Sequence, residues 1–448
     1  MDSVKLSQAI MHGDWRTRVS FLVSGFGCLT RKQYIKGILY LGIQILFWVF
    51  FFTFSWQYLK DIGTLGTQGV EKVWDEAQQI YIRQQGDNSM IILLYSVISF
   101  FVVVAVSLVH LMNIKSAYAL QVTVKECKRP PTFLQDLRDL FDRRLHTTLL
   151  GLPAIGVLAF TVLPILFMIC IAFTNFDQDH QPPGNLFTWV GFENFAAVFS
   201  GNAQKTHTFL SLLGWTLIWA VCATGLNYIF GMIIAMLINK KGIRGKSIFR
   251  TCFVMSIAVP GFVTLLFMRQ LLADQGAVNV LLQNWGLIES PIKFLSDPTL
   301  ARITVIVVNL WIGIPYTILI TSGILMNIPA DLYEAAHIDG AGPVRQFRSI
   351  TLPYMLFITA PYLITQFVGN INNFNAIYFL TRGDPSSTSY FQAGETDLLV
   401  TWLYKLTVNF GDYNLASVIG IMVFIICAAL SLATFNVTSS RKKEGTFQ

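Results

Sequence analysis

The sequence predicts an all-α integral membrane protein with about eight transmembrane helices. Three observations predict it. Charged residues make up 13% of the 448 positions and apolar residues 54%, whereas a soluble domain carries about 25% charged residues. Mean hydropathy is +0.55. The apolar residues also gather into separate stretches of about 20 or more, the length that crosses a bilayer as a helix. Phe, at 36 residues, suits lipid-facing and interfacial surfaces.

Residues 1–36 are polar and lack a cleavable signal pattern, so the first span is expected to act as its own insertion signal. The stretch 13–36 mixes Phe21, Leu22, Val23, Phe26 and Leu29 with Arg and Lys, a pattern expected at the membrane surface. Spans are expected near 37–56, 89–112, 147–174, 207–238, 251–273, 302–327, 354–378 and 412–436. An even number puts both ends on one side, and Lys and Arg decide which. Basic residues crowd the N-terminal tail (Lys5, Arg16, Arg18, Arg31, Lys32, Lys36), the loop after span two (Lys115, Lys125, Lys128, Arg129, Arg138, Arg143, Arg144) and the loop after span four (Lys240, Lys241, Arg244, Lys246, Arg250). Arg345, Arg348, Arg441, Lys442 and Lys443 extend the series, while the alternate loops lean acidic with Asp61, Glu71, Asp75, Glu76 and Asp87. Both termini and the loop after span six are therefore expected in the cytoplasm. Residues 129–145 open on Arg-Pro-Pro and read as a short charged helix. This helix separates a two-span extension, 37–146, from a six-span core, 147–436, followed by a cytoplasmic tail, 437–448.

The same pattern excludes other classes. The net charge of +7 follows the topology and contacts lipid headgroups, so no nucleic-acid partner is expected. Cys28, Cys127, Cys170, Cys222, Cys252 and Cys427 form no Cys-x-x-Cys pair and read as small buried hydrophobes. Gly245-Lys246-Ser247 resembles the end of a phosphate-binding loop, but the glycine required five positions earlier is Lys240. His110, His146, His180, His207 and His337 are scattered, so no metal, cofactor or catalytic residue is expected in this chain. An ion-coupled transporter would place ionisable groups near the midplane. Spans three to eight have none there, with Arg269 and Arg302 towards span ends.

A polar island interrupts the apolar pattern at 329–353. Pro329 suits a helix start, and Asp331 and Glu334 then sit at the positive end of the helix dipole. Gly340 and Gly342 end that helix. Pro343 starts a second short one, whose end Pro353 limits. Ala335 and Ala336 leave a flat surface for a close partner. Two polar stripes lie inside the neighbouring spans. Gln366, Asn370 and Asn373 are spaced to share a helix face, as are Asn309, Gly313 and Tyr316, with Trp311 and Pro315 beside them. Amides beside aromatic rings suit a neutral, hydroxyl-rich solute. The spacing equally fits interhelical hydrogen bonds of about 0.6 kcal/mol each.

The island resembles the EAA loop of binding-protein-dependent ABC importer permeases, in Glu334, Ala335, Ala336, Asp339, Gly340, Ala341, Phe347, Ile350, Leu352 and Pro353. The resemblance implies the ABC importer permease fold and a cytoplasmic loop that docks into a separate ATPase. Asn309-Leu-Trp-Ile-Gly-Ile-Pro-Tyr316 and Gln366-Phe-Val-Gly-Asn-Ile-Asn-Asn-Phe374 resemble the sugar-contacting spans of maltose/maltodextrin permeases of the MalF type. Position by position, that resemblance implies sugar contacts at Gly313, Tyr316, Asn370 and Asn373. Ile312, Gln366 and Gly369 fall at contact positions with different side chains, and Gly369 replaces a bulky aromatic. Trp189-Val-Gly-Phe-Glu-Asn-Phe195 and Ala393-Gly-Glu-Thr-Asp-Leu-Leu-Val400 are similar to outer segments of such permeases, so the likeness spans about 147–436.

The implied machine has a second permease of different sequence, two ATPase subunits carrying ATP and Mg, and an extracellular sugar-binding protein. All of it sits at a bacterial cytoplasmic membrane. One departure concerns the link between spans three and four. Only residues 175–206 join them, where the MalF type can carry a folded external domain, and this fits a lipid-anchored binding protein. The expected cargo is a maltodextrin, with another oligosaccharide or glycoside, such as a galacto-oligosaccharide, as the alternative.

Overall fold

The computed structural model describes residues 5–70, 72–75, 79–83, 86–126, 129–201, 203–240 and 242–437. Glu71, Glu76, Cys127, Lys128, Lys241, Arg441, Lys442 and Lys443, and nearly all of the expected tail, lie outside them. Among the described residues, seven helices are long and apolar enough to cross a membrane: Tyr34–Leu59, Ser89–Lys125, Leu145–Ile171, Ala203–Asn239, Pro298–Leu325, Pro343–Ile371 and Tyr413–Ala433. A bent pair, Lys246–Ile257 and Gly261–Leu271, makes an eighth if its two halves count as one span. They are numbered one to eight below, the bent pair being span five.

Contacts divide the chain into two compact units, 1–191 and 192–448. In the first, short helices Leu6–His12, Trp15–Val19 and Phe26–Leu29 pack on span two. Asp14 caps the second of these by accepting from the Thr17 amide at 2.9 Å. Arg31 is buried and ties the segment together. Its guanidinium donates to Gly27 O, Ala117 O and Thr17 Oγ1 and lies 2.6 Å from the Asp14 carboxylate. Burial alone would raise the Asp14 pKa, but the Arg31 and Thr17 hydrogen bonds hold it below the usual carboxylate value. The expected charged helix is Phe133–Phe141, capped by Thr132, with Asp136 2.8 Å from Lys36. Unforeseen in the sequence, Lys72–Asp75 and Ile80–Arg83 form an antiparallel pair. Its aromatic and β-branched residues favour strand, and Trp74 faces Tyr81 with ring centroids 4.9 Å apart.

In the second unit, span four packs along spans six and seven. Trp215, Trp219, Ala223, Leu265, Val305, Val308 and Ile377 belong to one buried cluster there.

Three expectations for helix continuity are corrected. Span five is not continuous; its halves meet at 85°. Pro260 has no N–H to donate and disfavours helix at Val259. Span seven ends at Ile371, and after a break at Asn372 the separate helix Phe374–Leu380 begins, so Asn373 does not share a helix face with Gln366 and Asn370. Finally, Pro353 does not end the second helix of the polar island. That helix runs from Pro343 to Ile371, and the widened turn Phe347–Thr351 accommodates the proline's missing donor.

Candidate functional site

Spans four and six approach closely through two glycines. A Cβ on Gly231 would stand 2.6 Å from Thr317 Cβ, and one on Gly313 would run into the Asn227 carboxamide. The two contacts are reciprocal, since Asn227 and Gly231 lie on one helix and Gly313 and Thr317 on the other, each pair four residues apart. Small residues at such crossings let backbones meet. Gly313 thus serves helix packing here, whatever else it touches. Asn227 donates to Ala223 O at 2.7 Å, while its Oδ1 is buried without a hydrogen-bond partner among the described residues. Such an orphan acceptor is uncommon in a folded interior.

Asn370 faces span four. Its Nδ2 donates to Thr224 Oγ1 at 3.0 Å, its Oδ1 accepts from Asn373 Nδ2 at 3.3 Å, and its carbonyl accepts from Trp219 Nε1 at 3.0 Å. Asn373 caps the next helix, its Oδ1 accepting from the Ala376 amide at 3.2 Å. Asn309 is also buried.

The remaining site residues lie on more open surface. Tyr316 is 50% exposed, and its ring centroid is 6.4 Å from that of Tyr362. Tyr362, Gln366 and Gly369 follow at i, i+4 and i+7 on one face of span seven. Gln366 is half-buried, and a Cβ on Gly369 would meet nothing within 4 Å. The predicted stripe therefore divides. Gly313, Asn370 and Asn373 join helices, whereas Tyr316, Gln366 and Gly369 present rings, an amide and open space.

The polar island folds as a short helix, a capped turn and the opening turns of span seven. Pro329 stands just before the helix Ala330–Ile338 instead of opening it. Gly340 has φ +74°, its N–H donates to His337 O, and Ala341 N–H donates to Ala336 O at 2.9 Å. These two bonds make a Schellman cap, which requires a residue in the left-handed region at Gly340. Pro343 then sits in the first turn of the next helix. Tyr333 Oη and Thr351 Oγ1, 2.8 Å apart, join the two helices. Phe347 and Leu352 pack on Tyr228, Met232 and Met355, below Asn227 on span four. Glu334, Ala335, Asp339 and Gly340 are exposed, Ala336 and Ala341 partly so. Ile338 is 85% and Val344 66% exposed, an apolar surface left uncovered among the described residues.

The segment 381–398 is held by two ion pairs. Arg302 donates to Glu395 O at 2.8 Å and to its carboxylate at 3.0 Å. Lys405 reaches the fully buried Asp397 at 2.5 Å. Burial pushes the Asp397 carboxyl above its usual pKa against the pull of Lys405.

Residues 227–442 match the family described as binding-protein-dependent transport system inner membrane component. Over 426 residues the chain is 35% identical to the galactooligosaccharides transport system permease protein GanP of Bacillus subtilis (strain 168), covering 94% of this chain and 97% of that one. The chain belongs to the binding-protein-dependent transport system inner membrane components. It is also 33% identical over 425 residues to the maltodextrin transport system permease protein MalC of Streptococcus pneumoniae serotype 4 (strain ATCC BAA-334 / TIGR4), covering 92% and 93%. A crystal structure of a bacterial ABC transporter involved in the import of the acidic polysaccharide alginate shares the fold. The TM-score is 0.54 at 23% identity, covering 68% of this chain and 98% of that one. This inner membrane component is a transport subunit whose family match takes in Asn227, the span-six and span-seven residues and the island around Glu334.

Sequence reasoning missed Trp219, Thr224, Asn227 and Tyr362. Asn227 was legible, as a carboxamide inside the expected span 207–238. Trp219 and Thr224 carry no such signal, because their roles depend on which way span four is turned.

Proposed function

We propose that this chain is the membrane permease subunit of an ATP-driven importer for neutral oligosaccharides, maltodextrins first. The supporting observation is the near full-length likeness to two oligosaccharide permeases at 33–35% identity. The likeness to GanP favours a second reading, a galacto-oligosaccharide cargo, at the same site. The open face of Tyr316, Tyr362, Gln366 and Gly369 contacts sugar, its rings meeting C–H faces and its amide the hydroxyls. Asn370 joins span seven to span four beside it through Thr224, and Asn373 caps the helix that follows. The absence of a side chain at Gly369 leaves room for a longer chain.

The loop bearing Glu334, Ala335, Ala336, Asp339, Gly340 and Ala341 docks into one of two ATPase subunits, which carry the ATP and Mg. Its exposed Ile338 and Val344 are the apolar contacts. Movement there reaches the site through Phe347, Met355 and Tyr228 to Asn227 on span four. A second, different permease and an extracellular binding protein complete the complex. Both termini face the cytoplasm, following the basic loops. The test is purification from native membranes in mild detergent with mass spectrometry of what accompanies the chain. An ATPase and a second permease are expected; the chain alone, where other membrane complexes survive intact, would refute the proposal.

A further inference from the structure

A cavity of about 430 Å³ lies in the first unit, between spans one and two and under the N-terminal segment. That volume is within the range of small-ligand sites. Ile43, Phe47 and Trp48 from span one and Val106 and Leu111 from span two give it apolar walls, and Phe21, Leu22 and Ser24 roof it. Its polar groups are almost all engaged. His110 Nε2 lies 3.1 Å from the Phe21 carbonyl, which can only accept, so Nε2 carries the proton. Nδ1 is then the acceptor for the Ser24 hydroxyl at 2.8 Å. Gln44 Oε1 accepts from the Ser24 amide at 2.7 Å, and its Nε2 donates to Leu22 O at 2.8 Å. Ser107 donates to Val103 O at 2.7 Å.

A sugar or other polar solute would find few partners there and would lose its own hydrogen bonds to water. A hydrocarbon chain would lose none. The cavity also lies within the membrane part of both spans, since Ile43 to Trp48 and Val106 to Leu111 fall inside the apolar stretches. Ile43, Trp48 and Leu111 are 38%, 47% and 38% exposed, which marks the route by which lipid enters. The roofing segment carries Arg16, Arg18 and Lys32, all exposed and without an ion-pair partner among the described residues. Basic side chains on the segment that roofs an apolar slot suit a lipid with an anionic head.

We propose that this cavity is a structural lipid site. It holds one acyl chain of an anionic phospholipid from the leaflet on the side of the N-terminal segment. The chain fills the gap between spans one and two, and the phosphate meets the basic residues of the roof. The lipid thereby fastens the segment 5–33 to both spans, in addition to the hydrogen bonds from Gln44, His110, Asn113 and Gln121.

The test is native mass spectrometry of the full complex after extraction, at an activation energy that strips loosely held lipid. One phosphatidylglycerol-class mass is expected to stay with each copy of this chain. It should be lost in Val106→Trp, which fills the cavity from one wall. It should also be lost in Ile43→Trp, which fills it from the other at a position with room for the extra bulk. Phe52→Trp, on an exposed face outside the cavity, should keep the lipid. Absence of a retained phospholipid from the parent complex, or equal retention in both filled variants, would overturn the proposal. Retention of a zwitterionic lipid with equal strength would overturn its anionic part.

Discussion

Replacing Gly313 by alanine separates packing from sugar contact. An alanine Cβ would stand 2.6 Å from the Asn227 amide carbon and 2.7 Å from its Oδ1. Ordinary contact begins near 3.4 Å, so the carboxamide must retreat by at least about 0.8 Å. It cannot do so while keeping its 2.7 Å hydrogen bond to Ala223 O, unless spans four and six part. Overpacking costs about 1–3 kcal/mol and the lost hydrogen bond about 1 kcal/mol, so the expected destabilisation is about 2–4 kcal/mol. Asn227→Ala in the same chain removes the obstacle. The double variant should recover at least about 1 kcal/mol relative to additivity, as for residues in direct contact. Helicity followed through detergent-induced unfolding measures both. A Gly313→Ala protein as stable as the parent, or a double variant with additive loss, would refute the packing argument and return Gly313 to the role of a sugar contact alone.

Five further outcomes follow from the same structure. Tyr316→Ala should abolish sugar uptake with assembly intact. Asn370→Leu should also abolish uptake, at a stability cost of about 1 kcal/mol from its two interhelical hydrogen bonds; unchanged uptake kinetics in both would refute the site. Gly340→Val forces a β-branched residue to φ +74°, costing about 1–2 kcal/mol; it should leave the protein in the membrane but reduce ATPase co-purification, and full recovery of the ATPase would argue against docking at this loop. Lys405→Met leaves Asp397 buried without its partner and should cost about 3–5 kcal/mol at neutral pH. Because burial raises the Asp397 pKa in the folded state, the variant should regain stability as pH falls and the carboxyl protonates, and a pH-independent loss would contradict this. Asp14 has the opposite sign: its folded pKa is lowered, so its contribution is present above the unfolded carboxyl value of 3.8 and lost as pH falls through the folded value. Asp14→Asn should therefore flatten the acid limb of the stability profile, and an unchanged limb would show that the pair with Arg31 contributes nothing.

The membrane class, the spans and the island around Glu334 were legible because each rests on local chemistry. Length and apolarity define a span, and Gly340 ends the first island helix through the left-handed angle it permits, whereas Pro353 lies inside the helix that follows. What the sequence concealed was direction. The spacing of Gln366, Asn370 and Asn373 is the same whether the amides face cargo or another helix. Only packing against span four shows Asn370 bonded to Thr224 and Asn373 capping a separate helix after the break at Asn372. The bend at Pro260 was foreseeable from proline chemistry, yet the apolar run across it reads as one span. The folding of residues 5–33 onto span two was hidden because buried Arg31 pairs with Asp14, 17 positions away, and with the Ala117 carbonyl on another helix.

The most direct test is uptake of labelled maltodextrin into proteoliposomes that contain this permease with its partner permease, ATPase subunits and binding protein. The account predicts uptake that requires ATP on the side of the loop bearing Glu334 and is lost in complexes assembled with Tyr316→Ala. Uptake driven by an ion gradient without ATP, or ATP hydrolysis that moves no oligosaccharide of any linkage, would contradict it.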